Sequence, residues 1–145
     1  MVAVQFPEPQ FRIKKEGEKR YIFDSIRKTW LLLTEEEWVR QNFVAYLIKE
    51  LKYPSALIAL EKEIFLNGQK KRFDILVYDK EHQPWMMVEC KAPSVMLNED
   101  VLQQVLRYNI TIPVNYILIT NGEATVGWEK LGGSLQLLEK MPANL

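Results

Sequence analysis

The sequence is poor in the residues that build disulfide frameworks and zinc sites, because its 145 residues include one cysteine and one histidine. A single cysteine excludes a disulfide within the chain, and one histidine leaves too few ligands for a structural zinc site. No apolar run approaches the roughly 18 to 20 residues that a transmembrane helix needs. The first ten residues carry neither a basic segment nor an apolar one. We therefore expect no signal peptide, no membrane partner and a cytoplasmic location.

Net charge is also lacking, because nineteen Lys and Arg residues balance nineteen Asp and Glu residues. A balanced chain is not a polycation that coats nucleic acid through charge alone, although a local basic patch can still contact phosphate. Residues 11–28 contain seven basic groups and three acidic ones. Whether this segment contacts DNA or is only a solvated surface stays open. The composition, 48% hydrophobic and 26% charged, is typical of a globular domain.

The pattern of apolar residues predicts an α/β fold, a mixed β-sheet flanked by α-helices, with an N-terminal β-hairpin. Residues 1–10 contain two prolines and no periodic pattern, which predicts an irregular arm in front of a single domain at 11–145. The hairpin is predicted within 11–23. It turns at Gly17, which can adopt the positive φ of a tight turn.

Two helices and five further strands follow in the prediction. The first helix spans 34–53, and Thr34 and Glu37 have the spacing of a capping box at its start. The second helix spans 98–110, with Asn98 as its N-cap. Because this helix connects two apolar runs, the run after it should lie parallel to its neighbour. The predicted strands are 57–66, 72–79, 85–91, 114–120 and 124–130, with a turn at Asn67-Gly68 between the first two.

Three charged side chains interrupt two neighbouring strand segments. Glu89 and Lys91 project from the same face of one segment, while Cys90 points to the other face. If the segments pair, Asp74 approaches Glu89, and two carboxylates within reach of each other suit a hard divalent cation. The alternative is a set of solvent-exposed charges. Charges inside apolar strands cost free energy unless they are paired or bound to metal, and spacing alone leaves both interpretations open.

The first predicted helix carries charge on its apolar stripe. Glu36 and Arg40 continue the stripe formed by Phe43, Leu47 and Leu51 at about 100° per residue. Charged residues in this position indicate that the N-terminal end of the stripe faces a polar pocket.

Five segments, in order, resemble the N-terminal nuclease domain of type I restriction endonuclease motor subunits, within the PD-(D/E)XK nuclease superfamily. The resemblance covers about residues 24–129 and implies a restriction-endonuclease-like fold. Its Asp…Glu-x-Lys signature is short, and the specificity comes from the order of all five segments. They are LTEEEWVRQ (33–41), KRFDILVYD (71–79), VECKAP (88–93), QQVLRYN (103–109) and ITNG (119–122).

The resemblance also implies roles for individual residues. Asp74 and Glu89 would bind Mg²⁺, or Mn²⁺ as a substitute, with the main-chain carbonyl of Cys90 as a further ligand. Lys91 would position the attacking water or stabilise the developing negative charge. Glu36 would be the additional acidic residue that such nucleases place near the metal, and Glu37 is the alternative.

Two further residues match a Gln-x-x-x-Tyr motif of exonuclease-like members. Gln104 and Tyr108 are four residues apart, so both lie on one helical face, where they could bond substrate or catalytic groups. The alternative is the polar edge of a packed helix. For Arg40, a phosphate contact competes with an ion pair to Glu36 one turn earlier.

The leading functional hypothesis is a nuclease that hydrolyses phosphodiester bonds in DNA with Mg²⁺. The expected partners are DNA and a restriction-modification or helicase protein. This sequence has no Gly-x-x-x-x-Gly-Lys-Ser/Thr loop to hold ATP, so motor activity is not expected of it. One alternative is a non-catalytic module of the same fold that binds DNA or a protein. Another is a structural domain whose charged strand face serves oligomerisation.

Overall fold

The computed structural model describes residues 1–66 and 68–143. The predicted turn at Asn67-Gly68 therefore lies partly outside the described residues. None of the described helices is long and apolar enough to cross a membrane.

The chain begins with a small antiparallel sheet of three strands in the order β1-β2-β3. The predicted hairpin is confirmed, with Gly17 at φ +64° in its turn. The third strand was not predicted. It follows a turn held by Asp24, whose Oδ1 accepts hydrogen bonds from the amides of Ile26 (2.8 Å) and Arg27 (3.0 Å). The strands are β1 (Ile13–Glu16), β2 (Lys19–Asp24) and β3 (Thr29–Leu32).

The first helix, α1, spans Glu35–Lys49, and Thr34 caps it by accepting a hydrogen bond from the amide of Glu37 at 3.0 Å. The predicted extension to residue 53 is wrong. The chain leaves the helix at Glu50, Lys52 takes φ +62°, and the amide of Tyr53 returns to the carbonyl of Leu47 at 3.0 Å. This turn buries the Tyr53 ring against Trp85, which outweighs the continuous helical pattern.

The main sheet has the strand order β4-β5-β6-β7-β8-β9. Strands β6 and β7 are parallel, as predicted, because α2 carries the chain from one to the other, and the remaining neighbours are antiparallel. This confirms the α/β class and the mixed sheet flanked by helices. The short edge strand β9 was not predicted. The elements are β4 (Ile58–Leu66), β5 (Gln69–Tyr78), β6 (Pro84–Cys90), α2 (Glu99–Asn109), β7 (Tyr116–Thr120), β8 (Thr125–Leu131) and β9 (Ser134–Leu137).

The two faces of this sheet pack into two separate apolar cores, one around α1 and one around α2. Along β6 the side chains alternate between them: Met86 and Val88 belong to the α1 core, and Met87 belongs to the α2 core. The same alternation puts Glu89 on the side of α2 and Cys90, which is 1% exposed, in the α1 core. Glu89 and Cys90 therefore lie on opposite faces of the sheet, as predicted.

The N-terminal arm has no regular secondary structure, yet it packs on the domain. The amide of Val2 donates to the carbonyl of Thr125 at 2.9 Å, and the Val2 side chain is 4% exposed. The ring of Phe6 lies 6.1 Å from Phe43 and 6.0 Å from Tyr46 on α1. The arm is thus part of the α1 core.

Candidate active site

A cleft of about 510 Å³ opens between β4, β5, β6, α2 and the first turn of α1. Six of the predicted site residues line it together: Glu36, Asp74, Glu89, Lys91, Gln104 and Tyr108. Glu61, Arg72, Val105 and Asn109 also line it. Arg40 and Cys90 are buried next to the cleft and do not form its wall.

The centre of the cleft is a pair of carboxylates on β5 and β6. Ile75 and Val88 are the last paired residues at this end of the two antiparallel strands. Asp74 and Glu89, the next residue on each strand, both line the cleft. The ladder is modified here, because the amide of Cys90 donates to Oδ2 of Asp74 at 2.7 Å. The side chain of Asp74 thereby ties the end of β6 to β5.

Burial and nearby acidic groups raise the pKa of both carboxyl groups. Burial, followed by the charge of Asp74, raises the pKa of Glu89 to about 7, although Lys91 opposes the shift. Burial also raises the pKa of Asp74 against the opposing effects of the Cys90 amide and Arg40. Lys91 Nζ lies 3.6 Å from Oε1 of Glu89. A cation that enters this cleft would relieve the repulsion between the two carboxylates.

The two candidate carboxylates of α1, Glu36 and Glu37, have different surroundings. Glu36 lines the cleft, and its side chain is 48% exposed. Glu37 is buried, and its carboxylate accepts hydrogen bonds from Gln41 (2.9 Å) and from Arg27 (3.3 Å). Glu36 therefore has the position that the proposed role requires, and Glu37 serves the packing of α1.

Arg40 lies beneath the cleft and is held by acidic residues on three sides. Its side chain is 5% exposed and bonds the carboxylate of Glu61. Glu36 and Glu37 each approach its guanidinium at 3.6 Å, although within the described residues Nε has no hydrogen-bond partner. The predicted alternative, an ion pair with Glu36, is present. A buried guanidinium in this position supports the acidic residues of the wall.

Glu61 is the acidic residue that sequence reasoning missed. It falls on β4 opposite Asp74, where the ladder skips one pair: Leu60 pairs with Ile75 and Lys62 pairs with Phe73. Three carboxylates, from Glu61, Asp74 and Glu89, thus form a row across β4, β5 and β6.

The backbone of Glu61 is unusual, because it has φ +52°, a conformation that a non-glycine residue adopts only when its surroundings enforce it. Its carboxylate connects the buried Arg40 with the exposed Arg72. The only sequence signal was the charged triplet at 61–63 within an apolar strand.

The opposite wall of the cleft comes from one face of α2. Gln104 and Tyr108 are exposed on this face, and both line the cleft. The ammonium group of Lys71, on β5, lies 3.9 Å from the centre of the Tyr108 ring. Arg72 is 64% exposed at the same edge. The wall thus presents an amide, a phenol and two cations to whatever enters the cleft.

The carboxylates of the cleft suit a Mg²⁺ or Mn²⁺ ion that keeps some of its water ligands better than an ion whose ligands all come from the protein. Among the described residues no group of three or more His, Cys, Asp or Glu side chains is arranged to hold a metal ion. Mg²⁺ commonly keeps several waters and takes only one or two carboxylates from the protein. Two opposed carboxylates with raised pKa values meet that requirement.

Comparison with known proteins places the chain in a family. Residues 35–142 match the family described as type I restriction enzyme R protein N terminus (HSDR_N). The chain belongs to this family. The match includes both helices, the whole main sheet and every residue that lines the cleft, whereas β1, β2 and β3 precede it. It confirms the relation to restriction enzymes that the five sequence segments predicted. None of the curated proteins matches the chain.

The first prediction for this R-protein domain concerns the ion pairs of Glu61. Glu61→Gln removes a charged partner from the buried guanidinium of Arg40, and we expect the free energy of unfolding to fall by about 1–3 kcal/mol. Urea denaturation measures the change. Glu63→Gln, on the same strand, removes an exposed carboxylate that pairs with Lys70, and it should cost less than about 0.5 kcal/mol. Equal losses in the two variants would contradict the structural role of Glu61.

The second prediction concerns the pH dependence of stability without divalent metal. The pKa of Glu89 lies above its ordinary value of 4.5, so its protonated form favours the folded state. The stabilisation of the folded state by protonated Glu89 is fully present below pH 4.5 and is lost as the pH rises through about 7.

In Glu89→Gln the neutral amide replaces the protonated acid. Relative to this variant, the wild type should lose about 1–3 kcal/mol of stability between pH 4.5 and pH 8. Chemical denaturation in EDTA across that range gives the two curves. If the stability curves of the wild type and of Glu89→Gln run parallel across this pH range, the pKa of Glu89 is not raised and the prediction fails.

Proposed function

We propose that this domain is a metal-dependent nuclease of the PD-(D/E)XK type that hydrolyses phosphodiester bonds in DNA with Mg²⁺. The observation that supports it most is that Asp74 and Glu89, at one end of the paired strands β5 and β6, line a single cleft with Lys91 beside them. Membership of the R-protein family is consistent with this chemistry. The proposed partners are DNA and a restriction-modification or helicase protein.

Asp74 and Glu89 would hold the metal ion, together with the main-chain carbonyl of Cys90. Bound there, Mg²⁺ would polarise the scissile phosphate and lower the pKa of an attacking water. Asp74 is oriented for this role by the amide of Cys90, at 2.7 Å. Glu89 has to lose its proton to act as a ligand, and its pKa of about 7 allows this in neutral solution.

The remaining residues of the cleft would act on the phosphate and the water. Lys91 carries a charge beside Glu89, from which it can position the water or offset negative charge as it develops. Gln104 and Tyr108 offer neutral hydrogen bonds from α2. The exposed guanidinium of Arg72 can bind a phosphate in two-point fashion.

A second candidate is a non-catalytic module of the same fold that binds DNA or a protein partner. The zero net charge favours it, because such a chain holds DNA only through a local patch or with the help of a partner. Such a module would bind DNA equally well with and without divalent metal. The cleavage assay separates the two functions.

The third prediction tests catalysis directly. Single-stranded, duplex and branched DNA are each incubated with the protein and Mg²⁺ or Mn²⁺, and products are resolved on denaturing gels. We expect at least one DNA form to be cut. Asp74→Asn, Glu89→Gln and Lys91→Met should each lower the rate by about 100-fold or more, because each removes a charge from the reacting centre.

The control for this assay is Glu63→Gln, which removes an exposed carboxylate outside the cleft. It should cut DNA at the wild-type rate, and thermal melting should show that all variants remain folded. If no DNA form is cut, or if all three site variants cut normally, the domain is not the proposed nuclease.

A further inference from the structure

The small N-terminal sheet has two faces of different chemistry. On the inner face Ile13, Ile22 and Leu31 pair in register, and Ile22 is fully buried. The opposite side, here called the outer face, carries the alternate residues of all three strands. Its apolar and aromatic members are Tyr21, Phe23, Trp30 and Leu32, and its charged members are Arg12, Lys14, Glu16 and Lys19.

Aromatic rings and cations are interleaved on the outer face. The Arg12 guanidinium lies 4.8 Å from the centre of the Phe23 ring and 5.3 Å from that of Trp30. Lys14 Nζ lies 4.5 Å from the Trp30 ring, and the rings of Phe23 and Trp30 meet edge to face at 5.3 Å. The rings remain partly exposed, and Leu32 is 48% exposed. The rings of this face are thus partly exposed, with the cations of Arg12 and Lys14 lying over Phe23 and Trp30.

The charge of this face is not cancelled by the acidic residues of the same sheet. Asp24 is fully buried and bonds Arg27 on the connection to β3. Glu16 lies on the outer face, where it pairs with Lys14 at 3.1 Å and is opposed by Lys19 on β2. Arg12, Lys14 and Lys19 thus outnumber Glu16, and the face is positive although the chain is neutral overall.

We propose that the outer face binds single-stranded nucleic acid, with bases stacked on Trp30 and Tyr21 and phosphates paired with Arg12, Lys14 and Lys19. Exposed aromatic side chains on an antiparallel sheet, flanked by cations, are a general means of binding unpaired bases. A duplex offers no open base face to such rings. A protein partner fits less well, because lysine is depleted from protein interfaces.

A short stretch of chain connects the outer face to the wall of the cleft. Leu32 ends β3, and Glu36, on the wall of the cleft, follows four residues later. Four residues of chain span at most about 14 Å, so the main chain at Leu32, at one end of the outer face, lies within that distance of Glu36. As a route for substrate, the proposal rests on the proposed nuclease function; as a binding site, it can be measured without cleavage.

The fourth prediction is a binding measurement in EDTA, where the metal-dependent reaction is off. Fluorescence anisotropy compares labelled oligo(dT), oligo(U) and a blunt duplex of equal length. We expect the single strands to bind at least about tenfold more tightly than the duplex. Trp30→Thr should weaken binding by about fivefold or more through the loss of base stacking. The comparison of oligo(dT) with oligo(U) tells DNA from RNA.

Matched variants keep the test independent of folding. Phe65→Thr removes an aromatic ring, 74% exposed on β4, and should leave the affinity unchanged. If Trp30→Thr does not fold, Lys14→Gln replaces it as the variant of the outer face, with the exposed Lys80→Gln as its charge-matched control. Lys14→Gln should weaken binding and reduce its salt dependence, whereas Lys80→Gln should change neither.

The proposal is overturned if single strands bind no better than the duplex or do not bind at all. It is also overturned if the variants of the outer face bind like their controls. These outcomes are distinct from failure of the nuclease. Cleavage that depends on Asp74, without binding by the outer face, would remove this inference alone. Single-strand binding without cleavage would remove only the proposed function.

Discussion

The proximity of Asp74 and Glu89 in one cleft, at the end of the paired strands β5 and β6, is the constraint on which the rest of this site depends. Burial raises the pKa of Glu89 to about 7, and the nearby charge of Asp74 adds to the shift. A fold keeps such a pair only when other groups compensate for it. Here the Cys90 amide, Lys91 and Arg40 provide that compensation. A divalent cation bound by both carboxylates, as the proposed function requires, would add to that compensation.

The surrounding architecture positions the walls of this cleft. The crossover through α2 makes β6 and β7 parallel and lays Gln104 and Tyr108 against the end of β6. On the other face, α1 packs on the sheet and brings Glu36 to the rim, while Arg40 reaches beneath to Glu61. The left-handed backbone at Glu61 turns an acidic side chain into this network from the middle of a strand. Three strands and two helices therefore contribute to one acidic row and its supports.

The sequence predicted those features of the site that follow from the periodicity of side chains along strands and helices. Alternation along β6 put Glu89 and Lys91 on one face, and the helical wheel favoured Glu36 over Glu37 by continuing the stripe of Phe43. The end of α1 was wrong, because the burial of Tyr53 against Trp85 is a tertiary contact. The strand β3 was missed although Thr29 and Trp30 favour a strand. The positive φ of Glu61 carries no local signal, since position 61 is not a glycine. The bonds of Glu61 to Arg40 and Arg72 join residues distant in sequence, so only the folded chain shows them.

The most direct test of the account is a calorimetric titration with Mn²⁺ at pH 8, above the pKa of Glu89. The wild type should bind the ion, Asp74→Asn and Glu89→Gln should lose that binding, and Glu63→Gln should retain it. Because the measurement needs no nucleic acid, it is independent of substrate choice. A wild type that takes up no Mn²⁺, or site variants that bind it as the wild type does, would contradict the claim that these carboxylates share a metal ion.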